Sequence, residues 1–350
     1  MMRVQHGGDV WSVSRLLGRS VYDVIDFSSN VNDFSPLVHQ CEDCERSMFL
    51  YPDPDLDGYM DGISSYNIME KENFVLVPGL TYAIYRFLSF VGRDKVVVGT
   101  PTFTEYRKAG VVGNKATYLP SANIVDDPSL VTRAGANVVF LVSPSNPTGD
   151  VIQDNELRGM LEYFLSHDII LFLDQAFVEF ASRTMAVRDA SLVNDFPNLF
   201  IGRSLSKLSG LPSLRLGYII TNGKNVRSLK DKIEPWAVDQ HSLHLLSKIN
   251  FASYENLPSL VAEVRERFIR DMGSLMFRVV GEPKANFVSF RLPDRIEPDK
   301  LFDTLAVRGL LLRSLWNYPE FGDKYIRIAI KREEKMRILL HEVRDILETG

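Results

Sequence analysis

The chain has 350 residues, of which 45% are apolar, and a formal net charge of −5. At about 150 residues per domain this length suggests two domains, and the apolar content is ample for a buried core. Acidic and basic residues are interspersed, so the sequence lacks the basic stripe typical of nucleic-acid-binding proteins. No apolar run approaches the ~18 residues of a membrane span, and the first residues form no hydrophobic signal segment. We therefore expect a soluble, cytoplasmic protein that binds neither nucleic acid nor membrane.

The two cysteines, Cys41 and Cys44, have the spacing of half a zinc site or of a redox pair. His39 is the only nearby third ligand, and the sequence offers no second cysteine pair. We therefore favour reduced thiols in a surface segment and predict no metal site.

Between residues 74 and 220, β-rich runs alternate with helical patterns. The predicted strands are 74–77, 95–98, 116–119, 137–142, 169–173, 199–201 and 217–220. Helices are expected at 81–91 and 154–166, each opened by a capping-type residue. Continuous apolar strands linked by helices indicate an α/β fold with a mostly parallel seven-stranded sheet between helices. Ligands bind at the carboxyl ends of such strands, so polar residues that follow strands are the candidate functional residues.

The pattern changes after Pro235. The predicted elements there are a long helical stretch over 239–276, strands near 285–292, 310–313 and 325–330, and a last helix over 333–347. This alternation favours a smaller α+β C-terminal domain. We therefore expect an N-terminal arm over 1–45 that packs with the small domain, a large domain over 46–234 and the small domain over 235–350.

The stretch RSLSK at 203–207, followed by Arg215, indicates an aldehyde-cofactor site. The Lys207 amine can form a Schiff base with a carbonyl cofactor, while the hydroxyls of Ser204 and Ser206 and the Arg215 guanidinium can neutralise a phosphate. Pyridoxal phosphate carries both groups. The other interpretation is an ordinary serine-rich loop with a solvated lysine and arginine, and this motif alone does not separate the two.

Two further strand ends carry polar side chains. Asn146 lies in the turn SPSNPTG and could donate a hydrogen bond to the ring hydroxyl oxygen of such a cofactor. Asp174 ends the strand 169–173, and its charge would keep a pyridine nitrogen protonated. A plain turn and a helix N-cap are the structural alternatives for these two residues.

Upstream, Gly79, Leu80 and Thr81 join a strand to a helix, where backbone amides can hold a phosphate. After the next strand, Phe103 or Tyr106 could stack on a pyridine ring. A common glycine turn and core aromatic side chains explain the same residues without a ligand.

In this order and with these spacings, the elements resemble the fold type I pyridoxal-phosphate enzymes. Within them the chain is similar to the branch of histidinol-phosphate aminotransferases and L-threonine-O-3-phosphate decarboxylases, over nearly its whole length. The resemblance implies pyridoxal 5'-phosphate as cofactor, with Lys207 as the Schiff-base lysine, Asp174 at the pyridine nitrogen and Asn146 at the ring hydroxyl.

The resemblance also implies a phosphate site and aromatic contacts to the cofactor. The residues assigned in this way are Arg215, Ser204, Ser206, the amides of Gly79, Leu80 and Thr81, and the rings of Phe103 and Phe177. Tyr51 looks like the tyrosine that reaches the phosphate across a subunit interface, which implies a homodimer with shared active sites.

The sequence departs from the family at several positions. Gln175 replaces the usual glutamate of the Asp-Glu-Ala-Phe motif, and Leu80 and Tyr82 replace polar residues of the phosphate turn. Asp33 stands where proline normally follows Asn32. These changes leave the lysine, the aspartate and the arginine in place, and bear on efficiency and substrate more than on the cofactor.

Arg313 and Arg327 are the candidate substrate-binding cations, each on a predicted strand. In the family both face the cofactor, where a planar guanidinium grips a carboxylate or phosphate in two-pronged fashion. Two such arginines suit a small substrate with two anionic groups, such as a phosphorylated amino acid. The alternative is a pair of exposed arginines in surface ion pairs that contribute little.

The N-terminal segments HGG, with His6, and FSSNVN, with Asn30, look like the signature of the threonine-phosphate decarboxylases, in which both lie near the substrate. Our leading hypothesis is a decarboxylase of O-phospho-L-threonine or a close analogue in cobalamin-type cofactor biosynthesis. The second is an aminotransferase acting on a phosphorylated amino alcohol such as histidinol phosphate. A third class, a ligand sensor or inactive scaffold with this fold, also fits the pattern.

Overall fold

The computed structural model describes residues 8–35, 51–52, 56–111 and 116–349. His6, Cys41 and Cys44 lie outside these ranges. The chain divides into two compact units, unit 1 with Met1–Phe34, Pro147–Asp150 and Ser259–Gly350, and unit 2 with Ser35–Asn146 and Val151–Pro258. Among the helices within the described ranges, none combines the length and the apolar character that a membrane crossing requires.

The elements of the described residues are numbered in chain order. The strands are β1 Ile25–Asp26, β2 Phe74–Val77, β3 Val96–Thr100, β4 Ala116–Pro120, β5 Val138–Val142, β6 Ile170–Asp174, β7 Leu199–Ser204, β8 Gly217–Ile220, β9 Arg278–Val280, β10 Phe287–Arg291, β11 Leu310–Leu311, β12 Arg313–Ser314 and β13 Tyr325–Ala329. The α-helices are α1 Val10–Leu17, α2 Asp61–Asn67, α3 Leu80–Val91, α4 Thr104–Val111, α5 Ser121–Asp126, α6 Ser129–Arg133, α7 Asp154–Ser166, α8 Val178–Ala181, α9 Arg183–Ser191, α10 Leu205–Leu208, α11 Gly223–Lys230, α12 Gln240–Ser247, α13 Leu257–Ser274, α14 Pro298–Val307 and α15 Glu333–Thr349.

Unit 2 contains a seven-stranded sheet of order β2-β8-β7-β6-β5-β3-β4. Only β8 runs antiparallel to its neighbours, so the sheet is mostly parallel. Helices cover both faces: at Gly202 of β7 a Cβ would meet Leu80 of α3, whereas the next residue, Arg203, bonds to Glu179 of α8. Burial of both faces explains the nearly continuous apolar strands. The seven predicted strands and the α/β class are confirmed.

The register of this sheet aligns the strand ends at one edge. The pairs there are Val142 with Asp174, Asp174 with Gly202, Ser204 with Gly217 and Val77 with Gly217. The segments that follow β2, β5, β6 and β7 therefore come together with the segment that precedes β8. We call this the carboxyl edge.

The helix predictions are correct at 81–91 and 154–166, and wrong for the long helix over 239–276. That stretch forms α12 and α13, separated by a 3-10 turn at Phe251–Tyr254. The reason is Pro258, which lacks a backbone N–H and is accommodated only in the first turn of a helix. The second helix must therefore restart beside it.

Unit 1 contains a four-stranded antiparallel sheet of order β12-β13-β10-β9 and a two-stranded parallel sheet of β1 and β11. The predicted strand over 310–313 is split, because Leu310–Leu311 pairs with β1 while Arg313–Ser314 pairs with β13. The strands β1 and β9 were not predicted, since two or three residues are too few to show a periodic pattern. The sheets and helices of unit 1 fit the expected α+β class.

The division into units differs from the predicted boundaries at both ends. The predicted boundary near Pro235 falls inside unit 2, to which residues 235–258 belong. Contacts within unit 2 hold this segment: Ser242 Oγ donates to the Leu214 carbonyl at 2.6 Å, and Trp236 packs on Tyr51 with ring centroids 4.9 Å apart. At the other end, the pairing of β1 with β11 places the described N-terminal residues through Phe34 in unit 1.

Candidate active site

Asp174 lies at the end of β6, buried at the carboxyl edge. The Tyr106 hydroxyl donates to its Oδ2 at 2.8 Å, and the Ala176 amide donates to its Oδ1 at 2.9 Å. Burial raises the pKa of Asp174 to about 6, and the two hydrogen bonds only partly offset this. A carboxylate in such surroundings is strongly stabilised by a positively charged ligand group.

Tyr106 therefore has a different contact from the ring stacking considered for it. It is buried, and burial together with the neighbouring Asp174 raises the pKa of its hydroxyl well above the ordinary value. The hydroxyl thus stays protonated and orients the carboxylate. The two residues are 68 positions apart, so the sequence contained no signal for this pairing.

Lys207 lies half-buried on α10, the short helix that directly follows β7. The loop after it is closed by Ser206, whose amide donates to the Leu216 carbonyl at 3.2 Å and whose hydroxyl accepts from the Leu216 amide at 3.2 Å. This closure brings Arg215 back toward the start of α10. The hydroxyl predicted to bind a phosphate serves here to close the loop, and the phosphate role of Ser206 stays a prediction.

Arg215 meets the turn at the start of α3. A Cβ on Gly79 would lie 2.9 Å from Arg215 Nη2, and Gly79 has a φ of +81°. Glycine is therefore required at position 79 both for its backbone conformation and for the approach of the guanidinium. The structure thus joins the two parts of the predicted phosphate site, the arginine and the glycine turn, which are distant in sequence.

The start of α3 is suited to an anion because the first amides of a helix have no intrahelical acceptors and the helix dipole is positive there. Leu80 contributes only its backbone, since its side chain is buried against Gly202. Thr81 is half-buried in the first turn. The Gly79 amide before the helix already donates to the Val77 carbonyl at 2.7 Å, so the first-turn amides of α3 remain the predicted anion donors. A guanidinium beside such amides is a phosphate-binding arrangement.

The other predicted cofactor residues of unit 2 also follow strands of the sheet. Asn146 and Phe177 are buried after β5 and β6, whereas Phe103 after β3 and Ser204 at the end of β7 are half-buried. Tyr51 is 81% exposed, and its ring packs against that of Trp236 in the same unit at an interplanar angle of 35°. Its contact across a subunit interface stays a prediction.

In unit 1, Arg313 of β12 and Arg327 of β13 are paired in register. Both are buried, so the alternative of exposed surface arginines is wrong. Arg313 Nη2 donates to Asn317 Oδ1 and Arg327 Nη2 to the Ser28 carbonyl, each at 2.8 Å. Burial lowers the pKa of both side chains, and in Arg327, whose pKa falls to about 10, the charge of Arg313 adds to the effect.

The N-terminal signature lies beside this arginine pair. The Gly8 amide donates to Ser28 Oγ at 2.8 Å, and the Ser28 carbonyl is the acceptor for Arg327. Asn30 is buried, and its backbone carbonyl accepts from the side-chain Nδ2 of Asn286 at 3.2 Å. Within the described ranges, the Asn30 side-chain oxygen has no hydrogen-bond donor, which suits a ligand that supplies one.

The side chains at the carboxyl edge fit pyridoxal 5'-phosphate chemically. An amine, a buried carboxylate, an amide and a guanidinium beside helical amides match an aldehyde, a basic ring nitrogen, a ring hydroxyl and a phosphate. No cluster of three or more metal-ligating side chains occurs among residues 8–35, 51–52, 56–111 and 116–349.

Sequence relatives include enzymes of both predicted activities. The chain is 31% identical over 334 residues to a histidinol-phosphate aminotransferase of Methanosphaerula palustris, covering 92% of each chain. It is 25% identical over 359 residues to a threonine-phosphate decarboxylase of Salmonella typhimurium, covering 98% of this chain and 96% of the relative.

Among solved structures, the histidinol-phosphate aminotransferase of Sinorhizobium meliloti in complex with pyridoxal 5'-phosphate aligns with a TM-score of 0.80. The alignment covers 100% of this chain and 99% of the other, at 17% identity, and supports the fold. The sequence profile of aminotransferase class I and II matches residues 22–343. The cofactor expected from the sequence is confirmed at the level of this family. The chain belongs to the class I and II aminotransferases, a family that depends on pyridoxal 5'-phosphate.

Proposed function

We propose that this protein decarboxylates a phosphorylated amino acid, O-phospho-L-threonine or a close analogue such as O-phospho-L-serine, to an amino-alcohol phosphate. Such a reaction belongs to cobalamin-type cofactor biosynthesis. The observation that carries the proposal is the double role of Ser28, whose hydroxyl holds Gly8 and whose carbonyl holds Arg327. The decarboxylase-like N-terminal segment is thereby tied to a buried anion-binding arginine.

The cofactor-side roles follow from the contacts at the carboxyl edge. When bound, pyridoxal 5'-phosphate supplies a conjugated ring that accepts the electrons of a bond to the substrate α-carbon. Lys207 would hold the cofactor through its side-chain amine. The same amine nitrogen, Nζ, would donate and accept the proton that is exchanged with the substrate. Asp174, oriented by Tyr106 and the Ala176 amide, stabilises the protonated ring nitrogen.

The remaining cofactor contacts fix its position. Asn146 donates to the ring hydroxyl, and the rings of Phe103 and Phe177 contact the cofactor ring. The phosphate is held by Arg215, by the amides of Leu80 and Thr81 and by the hydroxyls of Ser204 and Ser206, while the Gly79 amide donates to the Val77 carbonyl. The Arg215 guanidinium lies so near the Gly79 turn that a Cβ there would be 2.9 Å from Nη2, so this part of the site is preorganised for a phosphate.

On the substrate side, Arg313 and Arg327 suit a ligand with two anionic groups. Two buried guanidiniums in register repel each other, and an anion bound to them relieves both this repulsion and the cost of burial. Asn30 Oδ1 accepts a hydrogen bond from the substrate, and His6 contributes near the substrate phosphate. If the arginines hold the phosphate, the α-carboxylate is free to leave as carbon dioxide.

A second candidate function is transamination of a phosphorylated amino alcohol such as histidinol phosphate. The 31% identity to the Methanosphaerula palustris aminotransferase favours it. The same residues suit this reaction. One of the two arginines would bind the α-carboxylate of the keto-acid partner, so that this carboxylate is retained. Lys207 would then transfer the proton of the α-carbon. The two candidates therefore differ in which group the arginines hold.

The deciding experiment incubates the holoenzyme with phosphothreonine and measures carbon dioxide, amino-alcohol phosphate and keto acid together. A parallel reaction contains histidinol phosphate and a keto-acid acceptor. We expect carbon dioxide and amino-alcohol phosphate in equal amounts from the first reaction. Keto acid without carbon dioxide, or turnover in the second reaction alone, would overturn the decarboxylase proposal in favour of the aminotransferase.

We further propose a cytoplasmic homodimer in which Tyr51 reaches the cofactor phosphate bound by the partner subunit. The exposed pair of Tyr51 and Trp236 supports this, because large exposed aromatic side chains are enriched at protein interfaces. Sedimentation analysis of the holoenzyme is the test. A monomer at micromolar concentration would contradict the shared site.

A further inference from the structure

Gln175 follows Asp174 directly and is fully buried. Its backbone amide donates to the Gly202 carbonyl at 2.8 Å, and its side-chain oxygen accepts from Arg203 Nη2 at 2.7 Å. Both bonds run from the end of β6 to the end of β7. These are the two strand ends that carry Asp174 and Lys207.

The other end of the same amide faces a carboxylate. Gln175 Nε2 donates to Asp189 Oδ2 at 2.5 Å, and Arg188 donates to Asp189 Oδ1 from Nε at 2.9 Å and from Nη2 at 2.6 Å. The orientation of the amide is fixed chemically, because an arginine only donates and a carboxylate only accepts. Gln175 therefore bridges a buried cation and a buried anion.

Charge in this cluster is balanced without any contribution from position 175. Arg203 Nη1 pairs with Glu179 Oε1 at 2.9 Å, and Arg188 pairs with Asp189. A neutral bridge that accepts at one end and donates at the other preserves both ion pairs. A glutamate here would replace the hydrogen bond to Asp189 by a contact between two buried carboxylates, which repel each other.

We propose that Gln175 is a positioning residue that, through Arg203 and Asp189, fixes the separation of Asp174 and Lys207. This inference rests on the proposed roles of those two residues at the cofactor. Position 175 carries a glutamine where the family usually has a glutamate. Asp189 is the hydrogen-bond partner that suits this glutamine.

The test exchanges the amide and the acid between the two positions in the full-length protein. Gln175→Glu, Asp189→Asn and the double variant are compared by the thermal midpoint of the cofactor-free protein and by absorbance titration with pyridoxal 5'-phosphate. We expect Q175E to lower the midpoint and to weaken cofactor binding about tenfold, which corresponds to one lost hydrogen bond. The double variant should recover both the thermal midpoint and the cofactor affinity. In it the new amide at position 189 donates to the new carboxylate at position 175, and the total charge is that of the wild type.

A matched control separates positioning from general loss of stability. Thr221 is buried after β8, and its hydroxyl donates to the Leu199 carbonyl at 2.9 Å, at the end of the sheet opposite the carboxyl edge. Thr221→Val should lower the midpoint and leave cofactor affinity unchanged. Loss of cofactor affinity in T221V equal to that in Q175E would overturn the proposal.

The remaining outcomes are also decisive. A Q175E protein that binds the cofactor like the wild type, or a double variant no better than Q175E, contradicts the inference. If Q175E does not fold, a folded double variant with wild-type affinity supports it, and an unfolded double variant overturns it. Failure of the proposed function is recognised separately, since the wild type would then bind the cofactor no better than Lys207→Ala, whatever the cofactor-free midpoints show.

Discussion

The carboxyl edge of unit 2 and the arginine pair of unit 1 are assembled in different ways. At the edge, Asn146, Asp174 and Lys207 each follow a buried strand within a few positions, and the parallel register of these strands brings their ends together. In unit 1, the cluster of Gly8, Ser28 and Arg327 joins segments about 300 residues apart through two hydrogen bonds. In a parallel sheet, the strand order is enough to bring the site residues together. The cluster of Gly8, Ser28 and Arg327 instead depends on individual hydrogen bonds, which single substitutions can remove.

The largest expected effect comes from Lys207→Ala at the carboxyl edge. Without the amine the cofactor cannot be held covalently, and the proton transfer assigned to Lys207 is lost, so turnover should fall about a thousandfold or more. Absorbance of the dialysed holoenzyme and product formation are the measurements. Lys224→Ala, at an exposed position on α11, is the control and should keep wild-type values. Retained activity in K207A would remove the basis for the site.

Removal of one arginine tests the unit 1 cluster. Arg327→Gln should lower kcat/KM for the phosphorylated substrate about a hundredfold, since a buried charge paired with an anionic ligand contributes several kcal/mol. Cofactor binding at the carboxyl edge should not change. Arg291→Gln on β10, which removes a more exposed ion pair with Asp294, is the matched control and should have little effect. Equal losses in both variants would mean that Arg327 has no specific role.

The pH dependence of the cofactor-free protein reports on Asp174. Its pKa is raised from 3.8 to about 6 by burial, so the folded state binds this proton more tightly than the unfolded state. The stabilisation is complete below pH 3.8 and is lost as the pH rises through about 6, a change of about 2 to 3 kcal/mol. Urea unfolding of the wild type and of Asp174→Asn at several pH values measures the difference. If the free energy of unfolding depended on pH in the same way in the two proteins, the raised pKa of Asp174 would be contradicted.

The smallest expected effect is at Asp33, which follows the FSSNVN segment and connects it to the start of α15. Its carboxylate accepts from the Arg332 amide at 2.9 Å and from Lys335 Nζ at 2.5 Å. Burial alone would raise the pKa of Asp33, but these two donors lower it. The stabilisation is therefore present above pH 3.8 and is lost as the pH falls through the lowered pKa.

Asp33→Asn should destabilise the protein by about 1 kcal/mol at pH 7 and by less near pH 3, which lies below the unfolded-state pKa of this carboxyl. Urea unfolding at the two pH values measures this. Asp294→Asn, at an exposed ion pair of the same unit, should have little effect at either pH. A larger loss at pH 3 than at pH 7 would show that the sign is wrong.

The strands of unit 2 were predictable because both faces of the sheet are buried, which gives long apolar runs with polar residues at their ends. This pattern is also the basis on which Lys207, Asp174 and Asn146 are predicted as functional residues. Strands of two or three residues, such as β1 and β9, carry no periodic pattern and were missed. The helix break before Pro258 was missed because the apolar pattern continued across it.

The residues that orient the site could not be found from the sequence. The sequence suggests only ring stacking for Tyr106, whereas its bond to Asp174 joins α4 to the end of β6, 68 positions away. Gln175 was noticed as a departure from the family, but its partner Asp189 is an aspartate without any local signal. Such pairs are set by distances between elements, which one sequence does not contain.

Sequence by itself determined the seven strands of unit 2, the family and its cofactor, because each of these depends on patterns of residues close together in the chain. The tertiary structure alone decided which side chains orient Asp174, that Arg313 and Arg327 are buried side by side, and that Ser28 joins the N-terminal segment to Arg327. The physical reason is that hydrogen bonding and burial between distant segments depend on packing, and packing is a property of the folded chain.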